Sequence, residues 1–301
     1  MFKTIKNFAK KIPFLLTFKR EIFDIFNLND KENPLYGSTR LNILNSFQAY
    51  TPNSSGKYSE KANLTIETIN NFPSTLNSFI ENLEKSTLIK DDLLEEPEIF
   101  AEKNDVIHIA DELAQIFNKF GSDKSTTHNY QFLYSYFLRK KDEIKKIVEI
   151  GLGTNNTDVI SNMGLNGKPG ASLRAFKEFC PNAQIYGADI DRRILFREER
   201  ISTFFVDQTS QESIKELENN LPREIDLFID DGLHSINANT NSLSLGINLV
   251  KKGGWIIIED LTLQMLPFWK TIRFLMDKNN FICHFFITKN RRGFIFAAMR
   301  K

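Results

Sequence analysis

Between residues 147 and 261 the chain repeats one rhythm: a short apolar run closing on glycine or an acid, then a segment of helical length. The runs cover 147–153 (IVEIGLG), 185–191 (IYGADID), 202–207 (STFFVD), 225–231 (IDLFIDD) and 254–260 (GWIIIED). Runs this short and apolar, spaced by helices, predict parallel strands covered on both faces. Farther on, 262–277 predicts a helix, and 281–287 with 293–298 a closing pair of strands. The expected fold is α/β: a Rossmann-like, seven-stranded, mostly parallel sheet with helices on both faces. Sheets of this kind bind ligands beyond the carboxyl ends of their strands, where these glycines and acids fall.

Ahead of the first run the pattern changes. Residues 1–28 place Phe2, Ile5, Phe8, Ala9 and Ile12 on one helical stripe, with Lys3, Lys6, Lys10 and Lys11 elsewhere. Such a helix either lies on a membrane surface or packs on its own domain or a sister subunit. Residues 29–62, rich in Asn, Ser, Pro and Gly, predict loop. Helical periodicity returns at about 64–88 and 105–119, with an acidic stretch at 91–98 expected as a solvated face or linker. The expected division is a helical N-terminal region, 1–104, that serves assembly and covers an acceptor, and a catalytic domain, 105–301. Residues 121–128 (GSDKSTTH) form a polar turn before an aromatic helix, acting either as its N-cap or as a lid over a ligand. The connection 154–169 is longer than a direct turn requires, so it is expected to wrap a ligand.

Charge and cysteines narrow the setting. Thirty-nine basic against 38 acidic side chains leave a net charge of +1, with no global field to attract nucleic acid. Cys180 and Cys283 make no disulfide framework or thiolate metal site, which suits a reducing cytoplasm. No apolar run approaches the roughly 20 residues needed to span a bilayer. Residues 1–18 resemble a leader, but the apolar part is short and Lys19 and Arg20 follow at once, so the segment is expected to be retained.

Candidate chemistry gathers at the strand ends. Glu149-x-Gly151-x-Gly153 is a nucleotide-binding turn that lacks the third glycine of the dinucleotide fingerprint. Asp189 and Asp191 end the second strand, where a carboxylate can accept both hydroxyls of a ribose; Asp207 and Gln208 end the third and could meet an adenine edge. Any one of these acids could equally cap a helix.

The ordered set, over about 145–300, resembles the class I S-adenosylmethionine-dependent methyltransferases. A narrower resemblance rests on Asp230-Asp231-Gly232-Leu233-His234 followed by 253–261 (GGWIIIEDL). It is to the metal-dependent sugar O-methyltransferases of the mycinamicin (macrolide) type, which usually have serine where this chain has Leu233. The segment 120–124 (FGSDK) with His128 and Tyr130 also resembles the stretch those enzymes carry ahead of their first strand. The resemblance implies that Asp231, Glu259 and Asp260 bind a divalent cation and that His234 is the general base. It makes Lys124, His128 and Tyr130 candidates for acceptor contact. Glu149, Gly151, Gly153, Asp189, Asp191, Asp207, Gln208 and Asp230 are left for S-adenosyl-L-methionine.

Physical chemistry supports the same placement. The fourth and fifth strands are expected as neighbours, roughly 5 Å apart, so their terminal acids converge. Carboxylates without thiolates suit a hard cation, Mg²⁺ above all. Successive strand residues point to opposite faces, so Glu259 and Asp260 can share one ion only if the chain bends there. Asp230 is then left for the cofactor side or for structure. A sugar hydroxyl is a poor nucleophile at neutral pH; a cation lowers its pKa and an imidazole accepts its proton. His108 and His284 are weaker candidates, one in an apolar helix and one in the last hairpin. The expected protein is a homo-oligomeric methyltransferase acting on a sugar or related small acceptor, in natural-product or surface-glycan tailoring. Two rivals remain: an NAD-dependent sugar oxidoreductase on the same sheet, and a non-catalytic interaction module.

Overall fold

In the computed structural model the described residues are 71, 74–76, 78–79, 94–289 and 291–301. The expectations for 1–62, and most of the helix expected near 64–88, lie outside them. The chain divides into two compact units, Met1–Thr75 and Leu76–Lys301. Of the first, the described residues are helical, with Ser74 Oγ donating to the Asn71 carbonyl at 2.8 Å. Among the described residues no helix is long and apolar enough to cross a membrane.

The second unit begins with helices α1 (Pro97–Lys103), α2 (Ile107–Phe120), α3 (Asp123–Thr126) and α4 (Gln131–Phe137). Then strands and helices alternate: β1 (Lys146–Ile150), α5 (Ala171–Phe179), β2 (Gln184–Asp189), β3 (Arg197–Glu198), β4 (Ile201–Phe205), α6 (Gln211–Asn220), β5 (Ile225–Asp230), α7 (Ile236–Leu249) and β6 (Val250–Thr262). Helix α8 (Leu266–Asp277) and the hairpin β7 (Phe281–Ile287) and β8 (Gly293–Arg300) close the chain. The eight strands lie in the order β3-β4-β2-β1-β5-β6-β8-β7. The central five pair in parallel, and β8 and β7 run antiparallel at one end. The strand beyond the seven expected is β3, two residues pairing antiparallel with β4 at the opposite edge.

Two local departures have simple causes. Residues 94–98 are not a solvated linker. Glu95 exchanges backbone hydrogen bonds with Phe285 and Ile287 on edge strand β7, at 2.9 Å each. Pro97 then opens α1, whose Phe100 ring sits 4.8 Å from both Tyr136 and Phe286. The helix expected from 262 starts as one 3-10 turn, Leu263–Met265, before α8 takes over at Leu266–Pro267.

Strand alternation sorts the side chains into two layers. Ile147 of β1, Leu227 and Ile229 of β5, and Trp255 and Ile257 of β6 join one core under α1, α2, α4 and α5. Val148 and Ile150, Phe228, and Ile256 and Ile258 join the other, under α6, α7 and α8. The register pairs Glu149 with Ile229, and Ile229 with Ile257. Continuing the alternation, Glu149, Asp231 and Glu259 fall on the α4 side of three adjacent strands. Asp230 falls on the α7 side. Acids two residues apart in phase are thus delivered to one wall by backbone geometry alone.

At the opposite end of the sheet, buried Asp226 accepts the backbone amides of Lys145 and Lys146 at 2.8 Å each, and its other oxygen meets the Lys251 ammonium. This clamp starts β1 beside β5. Replacing Asp226 with alanine should orphan both amides and lower stability by about 1–3 kcal/mol in urea unfolding, while ligand affinity at the far strand ends stays unchanged.

Candidate active site

The carboxyl ends of β1, β2, β4, β5 and β6 open into one cavity of about 700 Å³, within the range of small-molecule sites. Gly151, Gly153, Asp189, Asp207, Gln208, Asp231, His234, Glu259 and Asp260 all line it. So do Asp158, Ile160, Met163 and Lys168 of the long connection, which therefore wraps the cavity as its length implied. Gly151 is needed here, because at φ +94° a Cβ would lie 2.0 Å from the Asp231 carbonyl oxygen. The ends of the parallel neighbours β1 and β5 touch at this point.

At the acid end, Lys124 of α3 reaches the bottom of the cavity with a side chain only 2% exposed. Its Nζ lies 2.7 Å from Asp231 Oδ2, 2.7 Å from Glu259 Oε2 and 3.2 Å from Glu149 Oε1. Gly121, left-handed at φ 78°, ends α2, and Ser122 caps the single turn α3 that carries Lys124. The aromatic helix α4 begins after Tyr130 without a side-chain cap, so the polar stretch serves the site and is not that helix's N-cap. Burial works against the ammonium, but Asp231, Glu259, Tyr134 and Glu149 outweigh it and hold its pKa well above the ordinary lysine value. Burial pushes the Glu259 carboxyl well up, assisted by Asp231 and opposed by Lys124. It also raises Glu149, whose other partner is the Ser172 hydroxyl.

Two tyrosines one helical turn apart complete this wall. Tyr134 donates its hydroxyl to Glu259 Oε1, and Tyr130 to Asp260 Oδ1. Asp260 has φ +53°, and the β6–β8 register shifts between Ile258 and Leu261. This is the bend required for Glu259 and Asp260 to face the same side. His234 is likewise left-handed, at φ 56°. Its Nε2 stands 4.0 Å from Asp231 Oδ1, and its Nδ1 is buried without a hydrogen-bond partner. Among the described residues, Asp231, His234 and Asp260 each offer a ligand atom within 4.8 Å of the others, and Glu259 falls outside that group. Two carboxylate oxygens beside one imidazole fit a hard divalent cation.

The end of the cavity expected to take the cofactor is built differently from its sequence outline. Asp189 lines the cavity, but its oxygens already accept the Leu152 amide at 2.7 Å and the Asp191 amide at 2.8 Å. Each keeps a free lone pair. Asp191 does not face the cavity. Thr154, Asn156 and Arg193 take its carboxylate, and the Arg193 guanidinium holds it well below the usual range. Arg193 also binds Asp158 at 3.0 Å, fastening the long connection to the end of β2. Gln208 is a latch: Nε2 donates to Asp230 at 2.7 Å and Ser242 at 2.8 Å, and Oε1 accepts the Leu233 amide at 2.9 Å. Asp230 is buried behind it with Asn239, on the α7 side that alternation assigns. Glu149, Asp191 and Asp230 therefore shape the cavity from behind. Lys124 and Tyr130, expected to meet an acceptor, spend their polar atoms on the acids. Sequence reasoning passed over Tyr134, Ser172, Asn239 and Ser242; the four-residue spacing of Tyr130 and Tyr134 was the one signal available.

No model of a known protein family matches the chain. Over 156 residues it is 30% identical to the 8-demethyl-8-alpha-L-rhamnosyl tetracenomycin-C 2'-O-methyltransferase of Streptomyces olivaceus, covering 52% of this chain and 39% of that protein. Over 99 residues it is 39% identical to the mycinamicin VI 2''-O-methyltransferase of Micromonospora griseorubida, covering 33% of this chain and 24% of that one. The chain thus spans well under half the length of these curated relatives. A solved structure of the MycE methyltransferase from the mycinamycin biosynthetic pathway, in complex with Mg, SAH and mycinamycin VI, aligns with a TM-score of 0.50. The two are 22% identical, and the alignment covers 62% of this chain and 54% of that one. At that identity the likeness establishes the fold.

His128 gives the site a measurable pH signature. Its Nε2 lies 3.5 Å from Asp123 and its Nδ1 3.7 Å from Asp260. The hydrogen bond to Asp123 raises its pKa above 6.5 against the effect of burial, with Asp260 assisting. A proton held more tightly in the folded chain adds stability that is complete below the unfolded value and is lost as pH rises through the folded one. The stability gap between wild type and His128→Ala, measured in chelator, should therefore be wider at pH 6 than at pH 8.

Proposed function

We propose that this chain, whose sheet is that of the class I S-adenosylmethionine-dependent methyltransferases, is an O-methyltransferase that transfers the donor's methyl group to a hydroxyl of a sugar or sugar-bearing small molecule. The observation that carries this reading is one cavity joining a glycine-lined cofactor end to a wall bearing Asp231, His234 and Asp260. The sugar O-methyltransferases it resembles in sequence support the same reading.

In the reaction the donor's C–S bond breaks as the acceptor oxygen bonds the methyl carbon, releasing S-adenosylhomocysteine and a methyl ether. The electrophile arrives activated as a sulfonium, so the protein must supply position and a proton acceptor. Gly151 and Gly153 allow the backbone to approach the donor closely, and Asp189 and Asp207 offer carboxylate oxygens to its hydroxyl and amino groups. His234 takes the hydroxyl proton at Nε2, and Asp231 beside it stabilises the imidazolium that forms. Asp231 and Asp260, with Glu259 completing the acidic wall, would hold a divalent cation, Mg²⁺ by their oxygen chemistry; when bound it lowers the acceptor hydroxyl's pKa. Carbohydrate tailoring of a natural product or a surface glycan is the context proposed for this activity.

Calorimetric titration separates this reading from a nicotinamide enzyme. S-adenosylmethionine should bind, and NAD should not; the reverse would overturn the reading. Methyl transfer from labelled donor to a panel of rhamnosylated and other glycosylated acceptors should stop in excess chelator and return with Mg²⁺. Full activity in chelator would remove the cation from the mechanism. His234→Ala should lower the chemical rate by about 10²–10⁴ while donor affinity holds, and a fully active variant would end its role as base.

A further inference from the structure

Lys124 is a fully buried charge at the heart of this cavity, and the methyl transfer described above has no use for it. Its ammonium meets three carboxylates from three adjacent strands, at 2.7, 2.7 and 3.2 Å. It donates hydrogen bonds to Asp231 Oδ2 and Glu259 Oε2, and it meets Glu149 Oε1 as an ion pair at 3.2 Å without a hydrogen bond. Asp231 is divided: Oδ2 faces Lys124, while Oδ1 faces His234. Glu259 is spent, with one oxygen on Lys124 and the other on the Tyr134 hydroxyl. Asp260, turned by its left-handed backbone, stands apart with Tyr130 and His128.

We propose that Lys124 is a resident cation of the site: it takes Glu149, Glu259 and one oxygen of Asp231, and leaves the exchangeable divalent ion to Asp231 Oδ1 and Asp260. This rests on the metal-assisted reading above and refines it. Glu259 then positions Lys124 instead of binding the metal. Without the ammonium, four carboxylates would crowd the end of one sheet with their charge uncompensated, which is costly where water is excluded. With it, the divalent ion meets fewer free oxygens and a fixed positive charge close by, so it binds loosely enough to exchange. Lys124 is a positioning residue in this scheme, and the quantity it sets is metal affinity.

The test is titration of Mn²⁺, followed by the electron paramagnetic resonance signal of the free ion, on the full chain. Glu259→Gln keeps the shape of the side chain and its bond to Tyr134 and removes one nearby negative charge but no metal ligand, so Mn²⁺ should still bind, weaker by no more than about tenfold. Lys124→Met frees Glu259 and the second Asp231 oxygen and removes the repulsion, so Mn²⁺ should bind at least about tenfold tighter. The double variant should return towards wild type. Loss of Mn²⁺ binding in Glu259→Gln, or unchanged or weaker binding in Lys124→Met, would overturn the proposal while leaving a metal site in place. If Lys124→Met does not fold, Glu259→Gln alone decides. Wild-type protein that binds no Mn²⁺ would instead fail the metal-assisted reading, and this proposal with it.

Discussion

One buried ammonium surrounded by carboxylates from three neighbouring strands is the interaction on which the acid end of the cavity depends. Each partner is unaffordable alone: an unpaired buried charge costs several kcal/mol, and breaking such a cluster by removing one member is strongly destabilising. Together they form a small ionic core that replaces the apolar packing found elsewhere between sheet and helices. Its geometry comes from the sheet. Period-two alternation on β1, β5 and β6 sends Glu149, Asp231 and Glu259 to one side, and α3 carries Lys124 in over them. Tyr130 and Tyr134, one turn apart on the helix behind, then fix the orientation of Asp260 and Glu259.

The remainder of the cavity follows from the same strand ends by a different device. There the carboxylates are held by backbone amides and side-chain donors. Asp189 closes the turn after β1 through the Leu152 amide, and Gln208 ties the end of β4 to the loop after β5. Space at Gly232 is so limited that a Cβ would fall 2.0 Å from Gln208 Oε1. The glycine-lined end is therefore preorganised by short polar links, and the acid end by charge. The two meet where the Gly151 Cα passes the Asp231 backbone.

Much of the sheet was legible from the sequence because strand burial on both faces leaves an unmistakable apolar run, and each run here stops at or beside a residue that lines the cavity. The bend at Asp260 was legible as a condition, since two consecutive strand residues cannot otherwise share a face. What periodicity could not convey is which polar group answers which. Asp191 reads as a ribose acceptor until Arg193, two residues on, is seen to fold back onto it. Asp230 and Asp231 are neighbours in sequence but face opposite layers, and only the register separates the latch from the acid wall. Lys124 lies 107 residues from Asp231 and 135 from Glu259, so no local pattern announces that it ends among them. Glu95 was hidden for a related reason: one strand-like residue in an acidic stretch gives no alternation, yet its backbone continues the sheet edge.

The most direct measurement is anomalous scattering from Mn²⁺ in crystals grown with S-adenosylhomocysteine. A single manganese peak should lie between Asp231 and Asp260, at the open mouth of the cofactor cavity, with the Lys124 ammonium still against Glu259. Manganese bonded to Glu259 with Lys124 displaced, or no peak beside Asp231, would contradict this division of the site.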